Sequence, residues 1–178
     1  MKLFSLILLL SSLTLTYSAP SSSPQPVAFR VGPFRFDRPS SWRWAPPSGT
    51  FRAAQLEKKL PDGTLLTLTF SRFSAGEGGS VQANLDRWSA QFTSPPNSQP
   101  ETKKGPEGSL TLIRYEGTLR GGTPGGPTQN LSQALLLGAI LEAPGELIIM
   151  KLAGPARAIA TAEKDFVQLA SAAVGLTP

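Results

Sequence analysis

Apolar residues recur along this chain in three distinct rhythms, and each rhythm places an element. Val81, Leu85, Trp88 and Phe92 fall at i, i+4, i+7 and i+11, one stripe of an α-helix. Ser80 stands where an N-cap hydroxyl would accept from a first-turn N–H, after Gly76, Gly78 and Gly79, so the helix is predicted to start near Val81. Leu66, Leu68 and Phe70 alternate with Thr67, Thr69 and Ser71, the pattern of a strand with one buried and one half-wet face. Leu135–Leu141 and Leu147–Leu152 are apolar on both faces, which assigns these two strands to the middle of a sheet.

The remaining elements follow from turn chemistry. Phe34 and Phe36 alternate with Arg35 and Asp37, giving short strands over Val27–Val31 and Pro33–Asp37. Leu60-Pro61-Asp62-Gly63 presets a tight turn between strands at Phe51–Lys58 and Thr64–Phe73. Thr93–Gly108 is a Pro- and Lys-rich excursion with one short edge strand at Glu101–Lys104, followed by a strand from Leu110 to Arg120. Pro155 and Gly175 bracket a final helix whose inner stripe is Ile159, Ala162, Phe166, Leu169, Ala170 and Ala173. Hairpins dominate, so the expected fold is α+β: an antiparallel sheet of about six strands with two main helices packed on it, a single domain over residues 27–175.

Ahead of that domain, Lys2 precedes an apolar run from Leu3 to Leu10, and Thr16-Tyr17-Ser18 offers small residues where a signal peptidase reads. Residues 1–18 are therefore expected to be a signal peptide and residues 19–26 a Pro/Ser linker, giving a secreted or periplasmic chain that spans no membrane after cleavage. Removing residues 1–18 leaves 160 of the 178 residues, enough for one core. There is no Cys and no His, which eliminates disulfides, Ser-His-Asp and Cys-His nucleophile systems and the common zinc constellations.

The order strands, helix, strands, helix, together with Phe34-x-Phe36-x-x-Pro39-x-x-Trp42, resembles the PsbP-like superfamily, which includes periplasmic DcrB-like proteins, across residues 27–175. Gly76–Phe92 with Arg52-Ala53-Ala54-Gln55-Leu56 is also similar to small exported bacterial proteins. The resemblance implies an exported accessory protein without catalytic residues or cofactors, and it transfers no family site to individual positions.

Candidate chemistry is sparse. The run Gly76-Glu77-Gly78-Gly79-Ser80-Val81 lacks the last glycine of a dinucleotide fingerprint, so only its amides at Gly78, Gly79 and Ser80 remain as a candidate anion-binding loop, against the plainer reading of a glycine turn. The twelve acidic residues are scattered over turns and polar faces, which argues against a two-carboxylate hydrolase and for a non-catalytic role. Seventeen Lys and Arg against those twelve acids leave the chain mildly basic. Arg35, Arg38, Arg43 and Arg52, with Arg30, cluster in the sequence around Trp42 and Trp44 and form a candidate binding surface. On the plainer reading, these arginines solvate strand faces and a tryptophan plugs the core.

Two functions stay open. The first is an exported module of the cell envelope that binds a partner protein or a polyanion, with no specific nucleic-acid target. The second is a pocket protein, either holding a small ligand between helix and sheet or acting as a carboxylate-based hydrolase.

Overall fold

The structure, a computed structural model, describes residues 27–74, 76–122 and 127–177, and the expected signal peptide (1–18) and linker (19–26) lie outside them. Two strands, β1 (Ala28–Val31) and β2 (Phe34–Asp37), form a small antiparallel ribbon. The main sheet has seven strands: β3 (Arg43–Ala45), β4 (Arg52–Lys59), β5 (Leu65–Ser74), β6 (Glu101–Gly105), β7 (Gly108–Leu119), β8 (Leu131–Ala143) and β9 (Glu146–Pro155). Their order is β3-β4-β5-β9-β8-β7-β6, and every neighbouring pair is antiparallel. The α+β expectation holds, and β8 and β9 lie inside the sheet as their two-sided apolar pattern requires. The sheet gains a strand over expectation at Arg43–Ala45, where prolines on both sides confine pairing to three residues.

Helix α1 (Val81–Ser89) begins with Ser80 Oγ accepting from Ala83 N at 3.1 Å. The last helical segment is interrupted, because Thr161 and Ala162 bond the carbonyls three residues back and the Thr161 hydroxyl also takes Ala158 O at 2.7 Å. It therefore divides into α2 (Ala156–Ala160) and α3 (Glu163–Ala173), and Gly175 with φ +75 stops it.

The helices take opposite faces of the sheet. On one face, α2, α3 and the β1–β2 ribbon bury Phe34, Phe36, Leu56, Leu68, Phe70, Leu135 and Met150 in the larger core. On the other, α1 buries Leu85 and Trp88 against Ile113, Leu136, Ile140 and Ile149, with Phe92 just beyond the helix. The buried residues that the sheet gives this second core come from β7, β8 and β9, with Phe73 of β5 packed at its edge. On β4 and β5 the middle of the same face carries Gln55, Glu57, Thr67, Thr69 and Ser71, with apolar Phe73 and Leu65 only at the two ends of the β5 row, so little there is apolar for α1 to cover. A short helix on a wide sheet thus leaves a polar strip of sheet face open to solvent.

Candidate functional site

Sheet register sets how that strip ends. Gln55, Thr69, Lys151, Gly138 and Ile113 are successive cross-strand partners through β4, β5, β9, β8 and β7. At Gly138 the indole of Trp88 lies directly on the backbone: a Cβ there would sit 2.2 Å from the ring. One strand over, the row continues with Lys151, whose ammonium donates to Gln91 Oε1, just after α1, at 2.7 Å. Trp88 therefore closes the apolar side of the row, and Lys151 begins an open cleft of about 730 Å³. Such a volume lies in the range of small-molecule sites, although this one is polar and open where most are largely apolar.

The α1-side row of β5 (Leu65, Thr67, Thr69, Ser71, Phe73) forms the floor of the cleft. Arg52 and Gln55 line it from β4, Asn84 and Arg87 from α1, and Lys151 from β9. Each cation is held by a neutral oxygen: Arg52 by Ser48 Oγ at 2.9 Å and Gln55 Oε1 at 3.2 Å, Arg87 by Asn84 Oδ1 at 2.7 Å, Lys151 by Gln91. Among the described residues no Asp or Glu lines the cleft, and none of the three pairs with a carboxylate. Burial pushes the Lys151 ammonium down from 10.5 to about 8, and neighbouring Arg52 adds to the effect.

The arginine stretch does not gather into one patch. Arg35 lies on the exposed side of the ribbon, opposite Phe34 and Phe36, and pairs with Asp37 at 3.0 Å. Arg38 donates to the carbonyl of Trp42. Arg43 pairs across the β3–β4 edge with Glu57 at 2.5 Å. Of the four, only Arg52 reaches the cleft. Trp42 is 1% exposed in the larger core, so its place on a binding surface is corrected: its indole N–H is satisfied inside, and its ring offers no platform. Trp44 packs partly buried on the same core, edge-on to Phe29 at 5.2 Å.

The glycine loop has a packing role. A Cβ on Gly78 would sit 2.5 Å from the Phe73 ring, so the missing side chain lets the loop close on β5. Asn84 Nδ2 takes the carbonyls of Gly78 and Ser80, each at 2.9 Å, and Ser80 Oγ is spent on Ala83 N. The shallow depression beside Gly79 and Ser80 is lined by Glu77, Glu142 and Glu146, a setting that opposes an anion.

Sequence reasoning missed Arg87, Gln91 and Lys151. The signal was present for Lys151, the one charge inside the apolar run from Leu147 to Leu152. No helix among the described residues is long and apolar enough to cross a membrane, and among them no cluster of Asp, Glu, His or Cys could hold a metal ion.

No protein-family model matches the sequence, and no curated protein matches it. Among solved structures, the chain is similar to the cyanobacterial PsbP (CyanoP) of Synechocystis sp. PCC 6803, with a TM-score of 0.56 at 13% identity over 88% of this chain and 96% of that one. Protein PA94 of Pseudomonas aeruginosa, described as of unknown function, gives a TM-score of 0.42 at 14% identity over 85% of this chain and 95% of the other. The fold is PsbP-like.

Proposed function

We propose that this chain is an exported, non-catalytic binding protein of the cell envelope, and that its ligand is a small molecule held between α1 and the open strip of β4, β5 and β9. A shared fold carries no function by itself, so the reading rests on the site. The observation that carries it is the cleft of about 730 Å³ in which side chains from β4, β5, β9 and α1 converge. It favours the pocket reading over a polyanion surface, because Arg35, Arg38, Arg43 and Arg52 are divided between the ribbon, the sheet edge and the cleft. Export rests on the charged start and apolar run of residues 2–10.

Amide NMR shifts test the binding reading, with the protein titrated by a set of neutral, cationic and anionic small molecules and, separately, by heparin. Small ligands are expected to shift Thr69, Gln91 and Lys151. If heparin alone shifts the spectrum, and does so around Arg35 and Arg43, the polyanion reading replaces this one. Mass spectrometry of the exported chain tests the localisation, with an N-terminus at Ala19 expected and retention of Met1 overturning it.

A further inference from the structure

Three cations facing one cleft without a carboxylate is an uncompensated arrangement. Desolvating an ammonium costs free energy unless a countercharge repays it, and here Lys151 receives only an amide oxygen. Outside the cleft Arg35, Arg43, Lys58, Arg72, Lys103 and Arg114 have carboxylate partners while Arg30 is held by the Pro33 carbonyl, so what sets the cleft apart is that three such cations line one cavity. Arg52 on β4 and Lys151 on β9 flank β5 from opposite sides, about 10 Å apart across the strands and about 7 Å along them, and both line the cleft, so one anionic group over β5 is met from either side by these long side chains.

The floor specifies the rest of the ligand. Thr67 and Ser71 hydroxyls bond no described protein group, and Thr69 Oγ1 makes only a long 3.4 Å contact to Lys151 O. Gln55 and Gln91 add carboxamides. This is a face of the sheet, whose backbone groups are already paired within β4, β5 and β9, so an acidic peptide would find no ladder to join. Hydroxyl and carboxamide side chains instead match a ligand rich in hydroxyls, and Leu65 and Phe73 at the two ends of the row offer apolar surface to a ring.

We propose that the cleft binds a polyhydroxylated anion, a sugar acid or sugar phosphate, with its charged group between Lys151 and Arg52 and its hydroxyls on Thr67, Thr69 and Ser71. This assignment rests on the cleft reading above and adds the ligand class.

Calorimetric titration of the protein with glucuronate, glucose 6-phosphate and glucose at low salt and pH 7 tests it. At least one of the two anions is expected to bind roughly tenfold or more tightly than glucose, the factor that a charge-assisted hydrogen bond supplies. Binding of glucuronate alone identifies a sugar acid, and of glucose 6-phosphate alone a sugar phosphate. Lys151→Gln and Arg52→Gln should each weaken the anion by a similar factor, Thr69→Val by less, and Arg35→Gln not at all. Circular dichroism of each variant keeps a folding loss separate from a binding loss. Anions no tighter than glucose, or anion binding indifferent to Lys151→Gln in a folded variant, overturn the assignment. If neutral or cationic compounds shift Thr69 and Gln91 while both anions leave them unmoved, only the ligand class fails. If no small molecule shifts them, the cleft reading fails with it.

Discussion

Asp165 of α3 accepts the indole N–H of Trp42 at 2.8 Å and, on the same oxygen, the ammonium of Lys58 at 3.2 Å. Lys58 also lies over the Trp42 ring, 5.8 Å from its centroid. One carboxylate thus ties the segment before β3, strand β4 and the C-terminal helix together, and it makes the burial of a tryptophan with a polar edge tolerable. Asp165→Ala should cost about 1–3 kcal/mol, because the indole N–H and Lys58 both lose their acceptor. Asp165→Asn, which keeps an oxygen in place, should cost less. Urea denaturation of the two variants checks this, and equal losses would show that the hydrogen bond to Trp42 contributes little.

Much of this architecture was legible because the relevant signals are local. The Ser80 cap, the Pro61–Gly63 turn, the Gly175 stop and the two-sided apolar strands each depend on neighbours in sequence. The assignment of α1 and α3 to opposite faces was not legible, since an amphipathic stripe reports that a face is buried and not which side of a sheet buries it. The cleft was half legible. Thr67, Thr69 and Ser71 read correctly as a wet face, but nothing local says that a nine-residue helix stops short of covering them. Arg52, Arg87 and Lys151 are up to 99 positions apart, and only sheet register and the placement of α1 bring them to one cleft. The run of arginines around Trp42 and Trp44 misleads for the converse reason: residues close in sequence along a twisting edge are directed to different surfaces.

Gly138 and Trp88 should be coupled. The glycine is required for space, since its φ is not in the left-handed region while a Cβ would meet the indole at 2.2 Å. Gly138→Ala should destabilise by about 1–3 kcal/mol through overpacking, and Trp88→Ala by about 3–5 kcal/mol through the cavity it leaves. The double variant should be more stable than the sum of the two losses predicts, because the added methyl then enters vacated space. Additive losses in thermal melts would mean that the backbone, and not the ring, resists the methyl group.

Arg72 grips Glu146 with two bonds, Nε to Oε2 at 2.9 Å and the terminal nitrogen to Oε1 at 2.6 Å. The hydrogen bond and charge of Arg72 hold the Glu146 carboxyl below its ordinary 4.5. Its contribution to stability is therefore present above about pH 4.5 and is lost as pH falls through the lowered folded value. Arg72→Met should raise the Glu146 midpoint toward 4.5 in a carboxyl-carbon NMR titration. A midpoint that stays where it was would show that solvent screens the pair fully.

Lys151 should have the opposite signature. Burial lowers its pKa from 10.5 to about 8, so between these values the unfolded chain binds more protons than the folded one, and stability rises with pH across that window. Below about pH 8 the cost of holding the charged form in the cleft is fully present, on the order of 3 kcal/mol for a shift of this size. Lys151→Met removes the titrating group, so the variant should be more stable than the wild type at pH 7 and the two should converge toward pH 10.5. Other lysines and the tyrosines titrate in both proteins, so the difference between paired urea melts from pH 7 to 11 isolates this residue. A difference that stays constant with pH would mean that water reaches the ammonium freely in the folded state. If the difference closes as expected, the fold carries a charge that weakens it near neutral pH, and an anion in the cleft should then raise the wild-type midpoint at pH 7 more than that of Lys151→Met at the same concentration.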